Sequence, residues 1–363
     1  RDRNVWRSWV SPDSPNDVAT SGITQPPVLA EAVWRVGNEL TNSEREHFFT
    51  KMYPLLIAYH TWLYTERDPH NEGLTLQIHP YETGLDNTPP WERQLREHSR
   101  PIWIAAIENM RLEKFFSMVR RDTRSIPSEQ RMRNIDALMA WDAILRLRRK
   151  HYDIDLILHR SLFAIEDVGF NAILTRNNQI LRDIAKVIYR KIPKSLDDSM
   201  QKSIIALESL WDETYSIYFS RDFITNKLLK QPTISGLLPL YSGVIDKKRA
   251  QMLVKILTTS SAYWTAFPVP SVPTNNRAFN ELRYWQGPTW LNTNWLIIDG
   301  LQRNGFEQEA QALISHTLTM VRENGVWEYY SPKTGQGLGS SDFSWTAALT
   351  LDLLHQSGEQ VTD

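Results

Sequence analysis

Apolar residues recur at helical spacing along most of this chain, and this periodicity limits the fold more than any other feature. Just after Pro26-Pro27, valine, leucine and alanine residues line one helix face and predict a first helix over about 28–36. Ser43, followed three residues later by Glu46, has the pattern of a capping box and predicts a second helix, which Pro54 should kink. Further helices are predicted at about 129–151, 167–192, 197–217, 246–258, 288–304, 306–324 and 341–357, with weaker signal at 91–118.

Long loops separate these helices at about 68–90, 262–288 and 325–340, and they are rich in Gly, Pro, Asn and aromatic residues. Period-2 alternation is hard to find, so the sequence predicts an all-α chain. No linker-like segment divides it, and residues 1–363 are therefore predicted to form a single domain. Loops of this length on a helical scaffold are usually functional.

Composition excludes several functional classes. Lys plus Arg number 41 and Asp plus Glu 42, and the net charge of -1 argues against a nucleic-acid protein held by a broad basic field. The absence of cysteine excludes disulfides, thiolate zinc sites and a cysteine nucleophile. The nine histidines lack a metal-binding spacing, and no apolar run approaches the ~18–20 residues of a membrane span.

Carboxylates occur in two of the long loops. Glu82 and Asp86 lie in the loop 79–91, and Glu328 lies between aromatic residues in the loop 325–343. Two carboxyl groups facing each other across a cleft are the minimum apparatus for glycoside hydrolysis, since one protonates the leaving oxygen and the other activates water or attacks carbon. The alternatives are that Asp86 is a turn residue that caps local backbone and that Glu328 is a solvated loop charge.

Aromatic and amide side chains near these carboxylates could bind the apolar faces and hydroxyls of a sugar. The candidates are Tyr81, Trp91, Tyr284, Trp285 and Gln286. The alternative is that the tryptophans fill the core, which is favoured for Trp290 and Trp295 and stays open for Trp285.

Four segments together resemble glycoside hydrolase family 63, and within it the mannosylglycerate and glucosylglycerate hydrolases. They are SGITQPP at 21–27, the loop 79–91 with GLDNTP, the stretch 283–295 with YWQGPTWLNTNW, and 327–349. The resemblance covers roughly residues 20 to 357. It implies an (α/α)6 barrel whose active site lies in the loops at one mouth. Such a barrel needs twelve helices, so its first helices are expected upstream of Arg1.

The resemblance also implies an inverting mechanism with Asp86 as general acid and Glu328 as general base. Inversion requires the two carboxyl groups to be ~6.5–9.5 Å apart, whereas ~5 Å would indicate a retaining enzyme. No cofactor is needed. Because the acid must keep its proton, Asp86 is expected to be the more buried of the two.

Substrate contacts are implied in the same way. Gln25 matches a substrate-contacting glutamine, Arg120 and Asp122 match a polar pair that faces the pocket, and Tyr284 and Trp285 match aromatic residues near the leaving group. Arg120 could hold the carboxylate of a glycerate in a bidentate grip. Two departures from the family pattern are Gln286, where many members have Arg, and Gln336, where many have Glu.

The expected function is hydrolysis of a mannosyl- or glucosylglycerate. The alternatives are an α-glucosidase that acts on glucosyl disaccharides or glycan glucose, and a helical sugar-binding protein without catalysis. The expected partner is a small carbohydrate, with no nucleic acid and no membrane. A homo-oligomer is left open, and a cytoplasmic location is expected.

Overall fold

The computed structural model describes residues 22–97, 102–109, 120, 122–123, 125–259 and 261–358. Helices dominate this part of the chain, which confirms the mainly helical prediction. They are Leu29–Asn38 (α1), Asn42–Arg67 (α2), Pro89–Glu97 (α3), Ile102–Asn109 (α4), Asn134–Arg149 (α5), Ile154–His159 (α6), Val168–Val187 (α7), Lys194–Glu208 (α8), Pro239–Ser242 (α9), Lys247–Thr259 (α10), Leu291–Arg303 (α11), Glu307–Asn324 (α12) and Ser344–Ser357 (α13).

The strands are short and antiparallel. They are Ile165–Glu166 (β1), Trp211–Asp212 (β2), Ile217–Tyr218 (β3), Arg221–Asp222 (β4), Lys227–Leu228 (β5), Trp327–Tyr330 (β6) and Gly337–Ser341 (β7). They form a three-stranded sheet in the order β1-β4-β5 and two hairpins, β2-β3 and β6-β7. None of the helices in the described ranges is both long and apolar enough to cross a bilayer.

Helix α7 is buried along nearly its whole length and organises the helical core. It packs against α1, α2, α8 and α9, while α11 packs against α9, α12 and α13. Its N-cap Asp167 accepts a hydrogen bond from Phe170 N at 2.9 Å, which satisfies one of the free N–H groups of the first turn. The largest apolar cluster includes Trp290 and Trp295, as predicted for these two residues.

Three details of the secondary structure correct the prediction. The N-cap of α2 is Thr41, whose N–H and hydroxyl both donate to Glu44, so the true capping box starts two residues before Ser43. The predicted helix 197–217 ends at Glu208, and the hairpin β2-β3 follows it. The predicted loop 325–340 is largely the hairpin β6-β7, whose strands are too short for a period-2 pattern to stand out.

Candidate active site

The loop that carries Asp86 is anchored by a buried carboxylate. A 3-10 turn over Pro80–Thr83 precedes it. Glu82 in this turn accepts hydrogen bonds from Ile78 N at 2.7 Å, Thr24 N at 3.0 Å and Arg67 Nη2 at 2.9 Å. Because these donors occupy both of its oxygens, Glu82 holds the loop in place and has a structural role.

Asp86 lies just beyond this anchor. Gly84 takes a left-handed conformation (φ 75°) that turns the chain, and the Thr83 hydroxyl accepts from Leu85 N at 3.1 Å. The side chain of Asp86 is half-buried, and burial raises the pKa of its carboxyl to about 7, with the negative charge of Glu328 adding to the rise. Asp86 can therefore hold a proton near neutral pH, as a general acid must.

The segment 284–290 packs directly against this loop. The Tyr284 hydroxyl donates to Asp86 Oδ2 at 3.4 Å, and Trp285 N donates to the side-chain oxygen of Asn87 at 3.0 Å. Trp285 is only 2% exposed and stacks on Trp290 with ring centroids 3.8 Å apart. Of Tyr284 and Trp285, which were both predicted to bind the sugar, only Tyr284 keeps an accessible surface. The prediction for Trp285 is corrected, because this side chain belongs to the core.

Gln286 is buried, and its amide faces the protein. Its Nε2 donates to the backbone oxygen of Asn87 at 3.0 Å and also to Glu92 Oε1. These bonds tie the loop after Asp86 to helix α3, so the predicted contact between Gln286 and a sugar hydroxyl would require it to release both partners.

Glu328 is presented by strand β6, where the pairing with β7 is irregular. Trp327 faces Ser341 and Tyr329 faces Leu338, so β7 holds one extra residue opposite Glu328. Ser340 N donates to Glu328 Oε2 at 3.1 Å. The residue is 6% exposed, so the alternative of a solvated loop charge is wrong. Asp86, which is half-buried, is the less buried of the two by surface area, contrary to the expectation, although burial acts strongly on its pKa.

Arg131, which the sequence did not single out, joins the two halves of the site. Its Nη1 and Nη2 donate to Glu328 Oε1 and Oε2 at 2.8 and 2.7 Å. Its guanidinium also lies over the Tyr284 ring, 5.3 Å from the centroid. The two ion-paired residues are separated by 197 positions, and no local pattern could connect them.

Asp86, Arg120 and Asp122 all lie close enough to Tyr81 for their charges to act on its hydroxyl. Burial raises the pKa of the Tyr81 hydroxyl, the charge of Asp86 raises it further, and Arg120 opposes the rise. Gln25 is exposed, and its Nε2 donates to the Tyr81 backbone oxygen at 2.7 Å. The Arg120 guanidinium donates to both oxygens of Asp122, at 3.1 and 2.6 Å.

Trp91 lies behind the loop. It is 1% exposed, its ring packs edge-on against Phe163 at 5.6 Å, and its indole N–H donates to the Thr83 hydroxyl at 3.1 Å. The prediction that Trp91 binds substrate is therefore corrected: this side chain supports the loop from the core and offers no surface to a ligand.

The site thus consists of two carboxyl groups with different partners. Asp86 has a tyrosine hydroxyl and a raised pKa, while Glu328 is fixed by a guanidinium and a backbone N–H. Among the described residues, no group of three or more His, Asp or Glu side chains is arranged to hold a metal ion. This pair can serve as a proton donor and a proton acceptor.

Comparisons with known proteins give the same picture. Residues 3–346 match the family model of the mannosylglycerate hydrolase MGH1-like glycoside hydrolase domain. The chain is 36% identical to a mannosylglycerate hydrolase of Thermus thermophilus over 92% of its own length and 77% of the relative's. It is 28% identical to a glucosylglycerate hydrolase of Mycolicibacterium hassiacum, over 94% and 77% of the two chains.

A solved structure is similar to this chain over most of the length of both. The crystal structure of the family 63 mannosylglycerate hydrolase from Thermus thermophilus in complex with Tris superposes with a TM-score of 0.82 at 33% identity, covering 93% of this chain and 80% of the other. This similarity confirms the predicted (α/α)6 barrel. The chain therefore belongs to the MGH1-like domain family within glycoside hydrolase family 63, and it is a glycoside hydrolase.

Proposed function

We propose that this enzyme hydrolyses the α-glycosidic bond of a small glycosylglycerate with inversion of the anomeric configuration. The observation that carries the proposal is the difference between the two carboxyl groups. Burial raises the pKa of Asp86 to about 7, whereas both oxygens of Glu328 accept hydrogen bonds from Arg131. Carboxyl groups in such different surroundings are suited to the acid and base roles of one reaction.

In the proposed step, Asp86 gives its proton to the glycosidic oxygen as the bond from that oxygen to the anomeric carbon breaks. Glu328 takes a proton from a water that attacks the anomeric carbon from the opposite face. The products are a β-configured free sugar and glycerate, and the two carboxyl groups exchange protonation states. Within the described part of the chain, no hydrogen bond joins Asp86 to Glu328: the Tyr284 hydroxyl donates to Asp86, and Arg131, which lies over the Tyr284 ring, donates to Glu328. The proposal requires ~6.5–9.5 Å between the two carboxyl groups.

The names of the relatives support glycerate as the aglycone, and its carboxylate calls for a cation. The sequence predicts a bidentate grip from Arg120, but four of its N–H groups already donate to Asp122, Met132 O and Asn134. We propose that Arg120 and Asp122 line the glycerate end of the pocket as a pair. A bidentate contact with the substrate would require Asp122 to be displaced.

The test is a proton-NMR time course with α-mannosylglycerate, α-glucosylglycerate and an α-linked glucosyl disaccharide. Loss of one glycosylglycerate, with the β-sugar appearing first, is the expected result and also identifies the sugar. Appearance of the α-sugar first would exclude inversion. Loss of the disaccharide alone would favour an α-glucosidase, and a tight sugar complex without turnover would favour a binding protein. The single domain over residues 1–363, a homo-oligomer and a cytoplasmic location stay predictions.

A further inference from the structure

Arg131 and Glu328 form one of the most enclosed ion pairs in the described part of the chain. The side chains are 11% and 8% exposed, and both terminal nitrogens of the guanidinium reach the carboxylate, at 2.8 and 2.7 Å. A bidentate pair of this kind fixes the plane of the carboxylate as well as its position.

Hydrogen bonds of the neighbouring residue also hold Arg131 in place. The preceding residue, Gln130, accepts a hydrogen bond from Gly339 N on its side-chain oxygen at 2.8 Å, and its backbone oxygen accepts one from the Tyr329 hydroxyl. Strand residues on both sides of Glu328 are therefore tied to the segment that carries Arg131. The ion pair is built into the junction between this segment and the β6-β7 hairpin.

The hydrogen bonds distinguish the two oxygens of Glu328. Oε2 accepts from Arg131 Nη2 and from Ser340 N, whereas Oε1 accepts from Arg131 Nη1. A carboxylate oxygen has about two lone-pair sites, so Oε1 is the oxygen with capacity left for a further partner.

We propose that Arg131 is the positioning residue of the catalytic base: it fixes the carboxylate of Glu328 so that Oε1 takes the proton of the attacking water. This inference rests on the proposed function. After the transfer, Arg131 still donates to Oε2, so the side chain keeps its place for the next turnover. An active-site arginine can also bind the carboxylate of a substrate. Here the end-on edge of the guanidinium, which carries both terminal nitrogens, is engaged with Glu328, so a glycerate carboxylate would have to bind at the side-on edge with Nε.

The experiment compares Arg131→Met, Arg131→Lys and a matched control, Arg182→Met, with the wild-type enzyme. Arg182 also forms an ion pair with a carboxylate, that of Asp197. This pair joins helices α7 and α8 and lies outside the site. Each protein is assayed on the glycosylglycerate that the wild type hydrolyses and on the α-glycosyl fluoride of the same sugar, which carries no glycerate. Thermal unfolding of each variant checks that it is folded.

We expect Arg131→Met to lower kcat by about 10²–10³-fold on both substrates, with KM changed by less than about threefold, because an ill-placed base slows the attack of water in both cases. Arg131→Lys keeps the positive charge but loses the planar guanidinium that makes two parallel hydrogen bonds. Its kcat should therefore lie between those of Arg131→Met and the wild type. Arg182→Met should have wild-type kcat. If Arg131→Met does not fold, the Lys variant gives the same comparison.

A double-mutant cycle separates positioning from a structural role. In a Glu328→Gln background, adding Arg131→Met should lower the residual kcat by less than about threefold, since the group that it positions has already been removed. A full multiplicative loss would overturn the inference. So would a rise in KM for the glycosylglycerate with unchanged turnover of the fluoride, which would make Arg131 a glycerate contact. A wild-type enzyme that hydrolyses neither substrate would overturn the proposed function itself.

Discussion

The hydroxyl of Tyr284 donates a hydrogen bond to Oδ2 of Asp86 at 3.4 Å, across 198 positions of sequence. This contact acts against the other influences on the carboxyl group. Burial raises the pKa of Asp86 to about 7 and the charge of Glu328 adds to the rise, whereas the hydrogen bond from Tyr284 lowers it by stabilising the carboxylate. Opposing effects thus keep the pKa of Asp86 close to neutral pH, and each of these effects can be tested.

Tyr284→Phe should shift the basic limb of the pH profile. Activity that depends on protonated Asp86 falls as the pH rises through about 7, and loss of the hydrogen bond raises the pKa of Asp86 further, so the limb should move to higher pH. The measurement is kcat/KM between about pH 5 and 9. Tyr53→Phe, which loses a hydroxyl bond to Lys191 O outside the site, is the control and should keep the wild-type limb. A limb that stays in place or moves to lower pH would contradict the role of Tyr284.

The loss of kcat caused by Asp86→Asn should depend strongly on the leaving group. On a glycosylglycerate we expect kcat to fall by about 10²–10⁴-fold, because the departing alkoxide is no longer protonated. On the α-glycosyl fluoride, whose leaving group departs as a stable anion, the loss should be at most about tenfold. Glu328→Gln is the matched control, since loss of the base should slow both substrates alike. Equal losses on the two substrates for Asp86→Asn would remove Asp86 from the role of acid.

The same substitution should change the pH dependence of stability. The pKa of Asp86 is about 7 in the folded protein, above the ordinary value of 3.8, so the unfolded chain releases this proton at lower pH. The carboxyl group therefore favours the folded state below about pH 4, and this contribution is lost as the pH rises to about 7. Asp86→Asn removes the dependence, so the Tm of the variant relative to wild type should be higher at pH 8 than at pH 4. An equal Tm difference at both pH values would show that Asp86 is not perturbed by burial.

Helical periodicity predicted most of the fold because the long helices bury one continuous face. Helix α12, predicted at about 306–324, runs over Glu307–Asn324, and α10, predicted at about 246–258, runs over Lys247–Thr259. The errors occur where the local signal is ambiguous. Thr41 and Ser43 both stand three residues before a glutamate, and only the tertiary structure selects the first as the cap. The hairpin β6-β7 depends on hydrogen bonds between its two strands, and the sequence of one strand alone does not predict them.

The site was predicted only as far as residue type and family pattern allow. Asp86, Tyr284 and Glu328 do come together, but spacing along the chain could not say which aromatic side chains are exposed. Trp285 stacks on Trp290 in the core although both belong to a polar, glycine-containing segment. Arg131 was missed because it lies in an arginine-rich stretch at the start of the predicted helix 129–151, where a solvated side chain is the ordinary expectation, and its partner is 197 residues away.

Gly339→Ala should impair the base through crowding. A Cβ at this position would lie 2.5 Å from Glu328 Oε2, and the backbone has a φ of 75° that favours glycine. We expect kcat to fall by at least about tenfold together with a loss of stability of about 1–2 kcal/mol. Gly305→Ala is a matched control, since it has a similar φ of 79° but no atom within 4 Å of the added Cβ. It should lose stability without losing kcat, and equal kcat values for the two variants would contradict the crowding of Glu328.

Gln286→Ala should loosen the loop that carries Asp86. Gln286 bonds both the backbone of Asn87 and the carboxylate of Glu92, whose pKa is raised by burial and by the neighbouring Asp136. Without the amide, Asn87 O and Glu92 lose a buried donor, at a cost of about 1–3 kcal/mol in stability. Because the residue before Asn87 is the proposed acid, we expect kcat on a glycosylglycerate to fall by about tenfold, with KM changed by less than about threefold.

The control for this substitution is Gln179→Ala, which removes a similar bond from a side-chain amide to a backbone oxygen, Ser242 O at 2.7 Å, outside the site. It should lower Tm to a similar degree and leave kcat at the wild-type value. If Gln286 instead binds a sugar hydroxyl, as the sequence predicts, Gln286→Ala should raise KM by more than about tenfold with little change in Tm. The Tm and KM of the two variants, measured together, therefore decide whether Gln286 positions the acid or binds the substrate.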